Sequence, residues 1–170
     1  MRELITRSQI NERVVELGRE ITAHYNGVPF TCLVILKGSF IFAADLVREI
    51  ETENISIEFV QLSSYKGTKS TGKVDFVNAE LERFKEKHIL IVEDIVDSGL
   101  TLSIFAESLN QIHPKSVKIC SLLEKNEVNK GRVKIDFLGF QIPDKFVVGY
   151  GLDFDEKFRN MPYIGIFNEG

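Results

Sequence analysis

The stretch ILIVEDIVDSGLT, residues 89–101, constrains this chain more than any other. Ile89, Leu90, Ile91 and Val92 form a short, wholly apolar run of the kind buried on both faces of a parallel sheet. Glu93 and Asp94 follow at its carboxyl end. Asp97, Ser98, Gly99, Leu100 and Thr101 then lead into a segment whose apolar positions Leu102, Phe105, Ala106, Leu109 and Ile112 recur at helical spacing. The order is strand, tight turn, helix. Backbone N–H groups at the helix start, with the hydroxyls of Ser98 and Thr101, make an anion cradle, and Gly99 lets the backbone approach closely. A phosphate fits there with no lysine in the loop. Carboxylates repel a phosphate at short range, so Glu93 and Asp94 belong with sugar hydroxyls or with a hydrated Mg²⁺. Adjacent strand residues point to opposite faces, so the two acids need not share one role. An acidic loop that caps a helix through Asp97 or Ser98 explains each residue singly, whereas the whole order points to a ribose 5-phosphate site.

The rest of the chain suits such a sheet. At 170 residues, with 44% hydrophobic and 27% charged residues, it is predicted to be one soluble domain, 1–170, with a sizeable core. No apolar stretch is long enough to cross a membrane, and the polar start MRELITRSQINERV is unlike a signal peptide, so a cytoplasmic location is expected. Net charge is −4, which argues against a protein that holds a nucleic acid backbone. Cys32 and Cys120 each sit in an apolar run and read as buried thiols, and the three histidines form no metal-ligand spacing.

Thr6 and Gln9 fit a capping box, after which Ile10, Val14, Leu17, Ile21 and Tyr25 keep helical intervals as far as Asn26-Gly27. Further strands are predicted at 31–36, 55–62, 116–123, 137–140, 146–150 and 163–167, with a return strand at 73–78. A helix is predicted at 39–50, and LERFKEK reads as a polar connection. Strands alternating with helices imply right-handed crossovers and a mostly parallel sheet with helices on both faces, an α/β fold. Ligands collect at the carboxyl ends of such strands.

In SSYKGTKSTGK, residues 63–73, Gly67, Gly72 and Lys73 satisfy the spacing G-x-x-x-x-G-K. The next residue is Val74 instead of Ser or Thr, and the flanks read strand to strand, so this is no P-loop. Its lysines and small residues suit a loop that closes over a polyanion.

At VEDIVDSGLTL the chain resembles the hypoxanthine-guanine phosphoribosyltransferase family, and the resemblance extends from Leu4 to Phe167. It implies a type I phosphoribosyltransferase fold, with a small hood formed by the N-terminal residues and roughly residues 124–170. It implies purine salvage: transfer of 5-phosphoribosyl from phosphoribosyl pyrophosphate to N9 of hypoxanthine or guanine, with xanthine a further candidate. The resemblance assigns the 5-phosphate to Asp97, Ser98, Gly99, Leu100 and Thr101, the ribose to Glu93 and Asp94, and the catalytic base to Asp97. It assigns pyrophosphate to Lys37, Gly38, Ser64, Tyr65 and Arg159, with a peptide between Lys37 and Gly38 that can be cis. The base falls to Lys125, which meets the 6-oxygen, to Phe146, which stacks, to the Val147 backbone, and to Asp153. Mg²⁺ is the implied cofactor, held by Glu93, Asp94 and Asp153. The implied partners are the two small substrates and further copies of the chain in a homodimer or homotetramer, with no nucleic acid and no membrane. Two departures stand out: Asn126 opens a polar NEVNKGR stretch where relatives carry Pro or Arg, and Leu100 stands where they often carry a polar residue. A different class of protein, a non-catalytic nucleotide-sensing regulator on the same fold, is the alternative.

Overall fold

The structure is a computed structural model that describes residues 1–63, 75–77 and 80–167. Its strands are β1 Arg2–Ile5, β2 Phe30–Leu36, β3 Ile55–Ser63, β4 Asp75–Val77, β5 His88–Val96, β6 Ser116–Glu124, β7 Phe137–Gln141, β8 Val147–Val148 and β9 Ile164–Ile166. Its helices are α1 Arg7–Tyr25, α2 Phe40–Glu49, α3 Leu100–Gln111 and the single turn α4 Asn126–Asn129.

Six strands form one sheet in the order β4-β3-β2-β5-β6-β7. Every neighbouring pair is parallel except β3 with β4, which is antiparallel. The apolar run of β5 explains its central place. Leu90 and Val92 join the core on one face with Cys32 and Val34 of β2, under α1 and α2. Ile89 and Ile91 join the other face with Leu33 and Ile35, under Leu102, Phe105 and Leu109 of α3. All of these but Ile35 and Leu102 are 0% exposed, and burying a side chain of this size contributes roughly 1.5–3 kcal/mol. The α/β fold with helices on both faces is therefore the observed one. α1 starts at the expected capping box, in which Thr6 Oγ1 accepts from the Gln9 amide at 3.2 Å and Gln9 Oε1 from the Thr6 amide at 2.9 Å. Among the described residues no helix is long and apolar enough to cross a membrane.

Several expectations need correction. β5 does not stop at Val92 but pairs with β6 as far as Val96, so Glu93 and Asp94 lie within a strand. The 146–150 strand shrinks to Val147–Val148, because Gly149 and Tyr150 turn into a bridge with Leu152 and a bond to the Met161 carbonyl. LERFKEK hides a core residue: a 3-10 turn, Leu81–Phe84, drives Phe84 to 1% exposure. Of the return strand at 73–78, Asp75–Val77 is observed as β4 and the rest lies outside the described residues. Sequence periodicity also gave no hint of β1. It pairs with β9, which pairs with β8, in a separate three-stranded antiparallel sheet that joins the two ends of the chain.

Candidate active site

The carboxyl ends of β2, β3, β5 and β6 face one cleft of about 460 Å³. Its walls bring together Lys37, Gly38, Asp94, Asp97, Lys125, Phe146, Val147, Asp153 and Arg159 from segments far apart in the chain. Glu93 and the Ser98–Thr101 turn stand beside it instead of lining it. Ser64, Tyr65 and the Gly67, Gly72 and Lys73 pattern lie outside the described residues.

The first wall is the turn after β2. Its cis peptide joins Leu36 to Lys37, one bond earlier than the expected Lys37-Gly38. The reversal thus begins at Leu36, the last residue of β2 paired with β3. The turn leaves no room for a side chain at Gly38, because a Cβ there would collide with the Asp94 carboxylate. A Cβ on Gly151, at φ +103, would likewise collide with the Gly38 carbonyl. Glu93 and Asp94 both reach this turn, although neighbouring strand positions point to opposite faces. Each carboxylate folds back onto the next amide: Asp94 N donates to Glu93 Oε1 at 3.0 Å and Ile95 N to Asp94 Oδ1 at 2.8 Å. Ser39, buried at the start of α2, donates to Glu93 Oε1 at 3.2 Å. Burial, then the charge of Asp94, pushes the Glu93 carboxyl up. Burial also pushes Asp94 up, against its hydrogen bonds and the charge of Arg159.

The second wall is the turn from β5 into α3. Neither Asp97 nor Ser98 is the N-cap. That place is taken by Gly99 at φ +70, and no side chain caps α3. The Leu100 amide donates to Ser98 Oγ in a long bond of 3.4 Å. A Cβ on Gly99 would lie 2.7 Å from Asn129 Oδ1 and 3.0 Å from Val133 Cγ2. Asn129, 1% exposed, is the hub of the NEVNKGR stretch. It donates to Glu124 Oε1 at 2.8 Å and to the Val133 carbonyl at 3.0 Å, and accepts from the Val133 amide at 3.1 Å. Arg132 donates to the Ser98 carbonyl at 2.8 Å. The departure from the family pattern after Lys125 therefore forms a single helical turn held against the Ser98–Thr101 turn.

The third wall carries the cations and the exposed ring. Lys125, 7% exposed, stands 3.2 Å from Asp97 Oδ2 and 3.1 Å from Asp144 Oδ1. Arg159 donates to the Gly151 carbonyl at 2.8 Å and pairs with Asp153 at 2.9 Å and Glu156 at 3.3 Å. Its Nε is buried without a partner among the described residues. Lys37 pairs with Glu156 at 3.2 Å, and this hydrogen bond from lysine holds the Glu156 carboxyl below its usual range. Phe146 keeps 52% of its surface open while touching Phe154 and Phe167 edge-on. Sequence reading missed Asn129, Arg132, Asp144 and Glu156. Asn129 had a signal, a polar residue bracketed by Val128 and Val133; the others look like ordinary surface charges.

The donor set can be tested against a metal. Asp94 and Asp153 line the same cleft, Glu93 does not, and no group of three His, Cys, Asp or Glu among the described residues could cage an ion. Two carboxylates without a cage suit Mg²⁺, which keeps several waters and takes further oxygens from a phosphorylated substrate.

Known proteins are similar to this chain in sequence and fold. The phosphoribosyl transferase domain family matches residues 5–155. The chain is 43% identical to the hypoxanthine-guanine phosphoribosyltransferase of Bacillus subtilis, over 96% of this chain and 91% of that one. It is 47% identical to the enzyme of the same name from Dictyostelium discoideum, over 99% and 96%. Among solved structures, a hypoxanthine-guanine phosphoribosyltransferase from Bacillus anthracis, with a HEPES molecule in the active site, superimposes with a TM-score of 0.91. Its identity is 40%, over 99% of each chain. A match over most of the chain, on the sheet whose strand ends build this cleft, has one consequence: the chain belongs to the phosphoribosyl transferase family.

Proposed function

We propose that this chain is a purine salvage enzyme that transfers 5-phosphoribosyl from phosphoribosyl pyrophosphate to N9 of hypoxanthine or guanine, giving IMP or GMP and pyrophosphate. One observation carries the reading: a single cleft gathers a buried ammonium, a neighbouring carboxylate, an open aromatic ring and two further cations. Lys125 donates to the 6-oxygen of the base. A 6-amino group would leave that buried donor unpaired, which selects against adenine. Phe146 stacks on the ring and the Val147 backbone meets its edge. The 5-phosphate sits on the open N-terminus of α3, against the amides and hydroxyls of Ser98 to Thr101. Glu93 and Asp94 hold the ribose hydroxyls, and Lys37, Gly38 and Arg159 hold pyrophosphate, which a guanidinium fork suits; the Arg159 Nε has no partner among the described residues. Ser64 and Tyr65 complete that end.

In the reaction the bond from the anomeric carbon to the pyrophosphate oxygen breaks, and its electron pair leaves with pyrophosphate. N9 supplies the pair for the new bond, and Asp97 takes the ring proton from N7. Positioning of the base and stabilisation of the leaving group dominate the barrier. Asp94 and Asp153, with Glu93 behind them, are the residues to hold Mg²⁺, which when bound neutralises charge on the departing pyrophosphate. The protein works in the cytoplasm as a homodimer or homotetramer. The two free cysteines support a reducing compartment, and sedimentation distinguishes the assemblies.

The test is incubation with Mg²⁺, phosphoribosyl pyrophosphate and, in turn, hypoxanthine, guanine, xanthine, adenine and uracil. Pyrophosphate release is expected with the first two. Failure of every base to release pyrophosphate overturns the enzyme reading, and release with adenine alone overturns the role of Lys125.

A further inference from the structure

Lys125 has two carboxylate neighbours, and only Asp97 has been given work. The ammonium is almost equidistant from Asp97 Oδ2 and Asp144 Oδ1, at 3.2 and 3.1 Å, and its side chain is 9% exposed where theirs are 56% and 61% exposed. Its backbone is pinned. The Lys125 amide donates to the Val96 carbonyl at the end of β5, and its carbonyl accepts from Val128 and Asn129, so only side-chain torsions can move the ammonium. Asp144 is fixed to the same frame. The Ile142 amide donates to the Glu124 carbonyl at 2.9 Å, so the turn that carries Asp144 is tied to the residue before Lys125, and Phe146 follows two residues later.

The Lys125 ammonium has three N–H donors, two of them used by Asp97 and Asp144, so the third is left for the 6-oxygen of an entering base. Asp97 pairs through Oδ2 and can take the proton of the base on Oδ1, and once it does so it is neutral and no longer balances the lysine. With Asp97 as its only carboxylate partner the ammonium would then lose its counter-charge, and a buried ammonium is costly to strip of its partners. We infer that Asp144 is a positioning residue. It anchors the Lys125 ammonium at the base site and remains its counter-charge when Asp97 takes the proton of the base. The inference rests on the roles proposed for Lys125 and Asp97. An exposed ion pair with no such duty would contribute almost nothing.

The test compares the full-length protein with Asp144→Asn, Asp144→Glu, Lys125→Ala and the Lys125→Ala/Asp144→Asn double variant, by steady-state kinetics and by calorimetry of IMP binding. Asp144→Asn should raise KM for hypoxanthine by about fivefold and weaken IMP binding to match, while KM for phosphoribosyl pyrophosphate moves by less than about twofold. Asp144→Glu should recover most of the loss. In the Lys125→Ala background Asp144→Asn should add nothing, because a residue that acts only through lysine has nothing left to position. Wild-type base KM in Asp144→Asn, or a full additive loss in the double variant, overturns the inference. Unchanged base KM and IMP binding in Lys125→Ala overturns the base-reading role of the lysine and takes this inference with it.

Discussion

Three helices of this molecule begin in different ways. α1 closes its own N-terminus, with Thr6 and Gln9 satisfying each other's amides. α3 leaves its N-terminus nearly open, with Gly99 at φ +70 in the N-cap place, no side-chain cap from it, and a long 3.4 Å bond from the Leu100 amide to Ser98 Oγ. α2 lies between: its N-cap Ser39 makes no cap and turns its hydroxyl to Glu93 of β5. The first four amides of any helix need partners. Where the chain supplies them itself the helix start serves the fold, and where it does not the start is available to a ligand. Cap substitutions should therefore separate into those that move kinetics and those that move only stability.

The largest effect is expected at the head of the open start. Asp97→Ala should lower kcat by roughly 10²- to 10⁴-fold while IMP still binds, since what is lost is proton transfer and not the phosphate amides. Unchanged turnover would remove Asp97 from the base role. Next comes Gly99→Ala. An L side chain at φ +70 is strained, and its Cβ would press on Asn129 and Val133. A loss of about 2 kcal/mol in unfolding free energy should come with a rise of about tenfold in KM for phosphoribosyl pyrophosphate. A stability loss with unaltered KM would mean that the α3 start holds no phosphate.

Thr6→Ala is the control for the closed start. It should cost about 1 kcal/mol of stability, seen as a drop of a few degrees in Tm, and leave both KM values where they were. A kinetic effect of the size seen at Gly99 would abolish the distinction between the two starts.

This contrast also shows what the sequence could disclose. The capping box of α1 and the run from Ile89 to Val92 were readable because their partners lie within four residues or their burial follows a fixed period. The ligand end of the cleft was readable only as residue types in order. What joins it together spans the chain: Lys125 meets Asp97 across 28 residues, and Lys37 meets Glu156 across 119. No local pattern encodes such pairs, so Asp144 and Glu156 passed as surface charges. Two strands of the small second sheet were expected, at 146–150 and 163–167, but β1 escaped for a related reason. A strand of four residues is too short to show a period, and the partner of β1, β9, lies at the far end of the chain. Phe84 was lost to its setting among charged neighbours, where a 3-10 turn and not a helical stripe decides its burial.

The smallest effect is expected at the intermediate start, and its sign is informative. Glu93 accepts from Ser39 and from the Asp94 amide, yet burial and the charge of Asp94 raise its folded pKa above the unfolded value of about 4.3. A carboxyl raised in this way favours the folded state fully below the unfolded pKa, and that contribution is lost as pH rises through the folded pKa. Above both values the buried charge is a net cost. Glu93→Gln keeps an oxygen for Ser39 and removes the charge. The Tm of the unliganded variant should therefore exceed that of the wild type by about 1–2 °C at pH 8, and the gap should close as pH falls to about 4, where both side chains are neutral. The Ser39 bond is common to both proteins at every pH, so it cannot produce the trend. A gap that stays constant from pH 4 to 8 would show that the Glu93 carboxyl has the same pKa in the folded and unfolded states. The start of α2 would then belong with α1, to the fold alone.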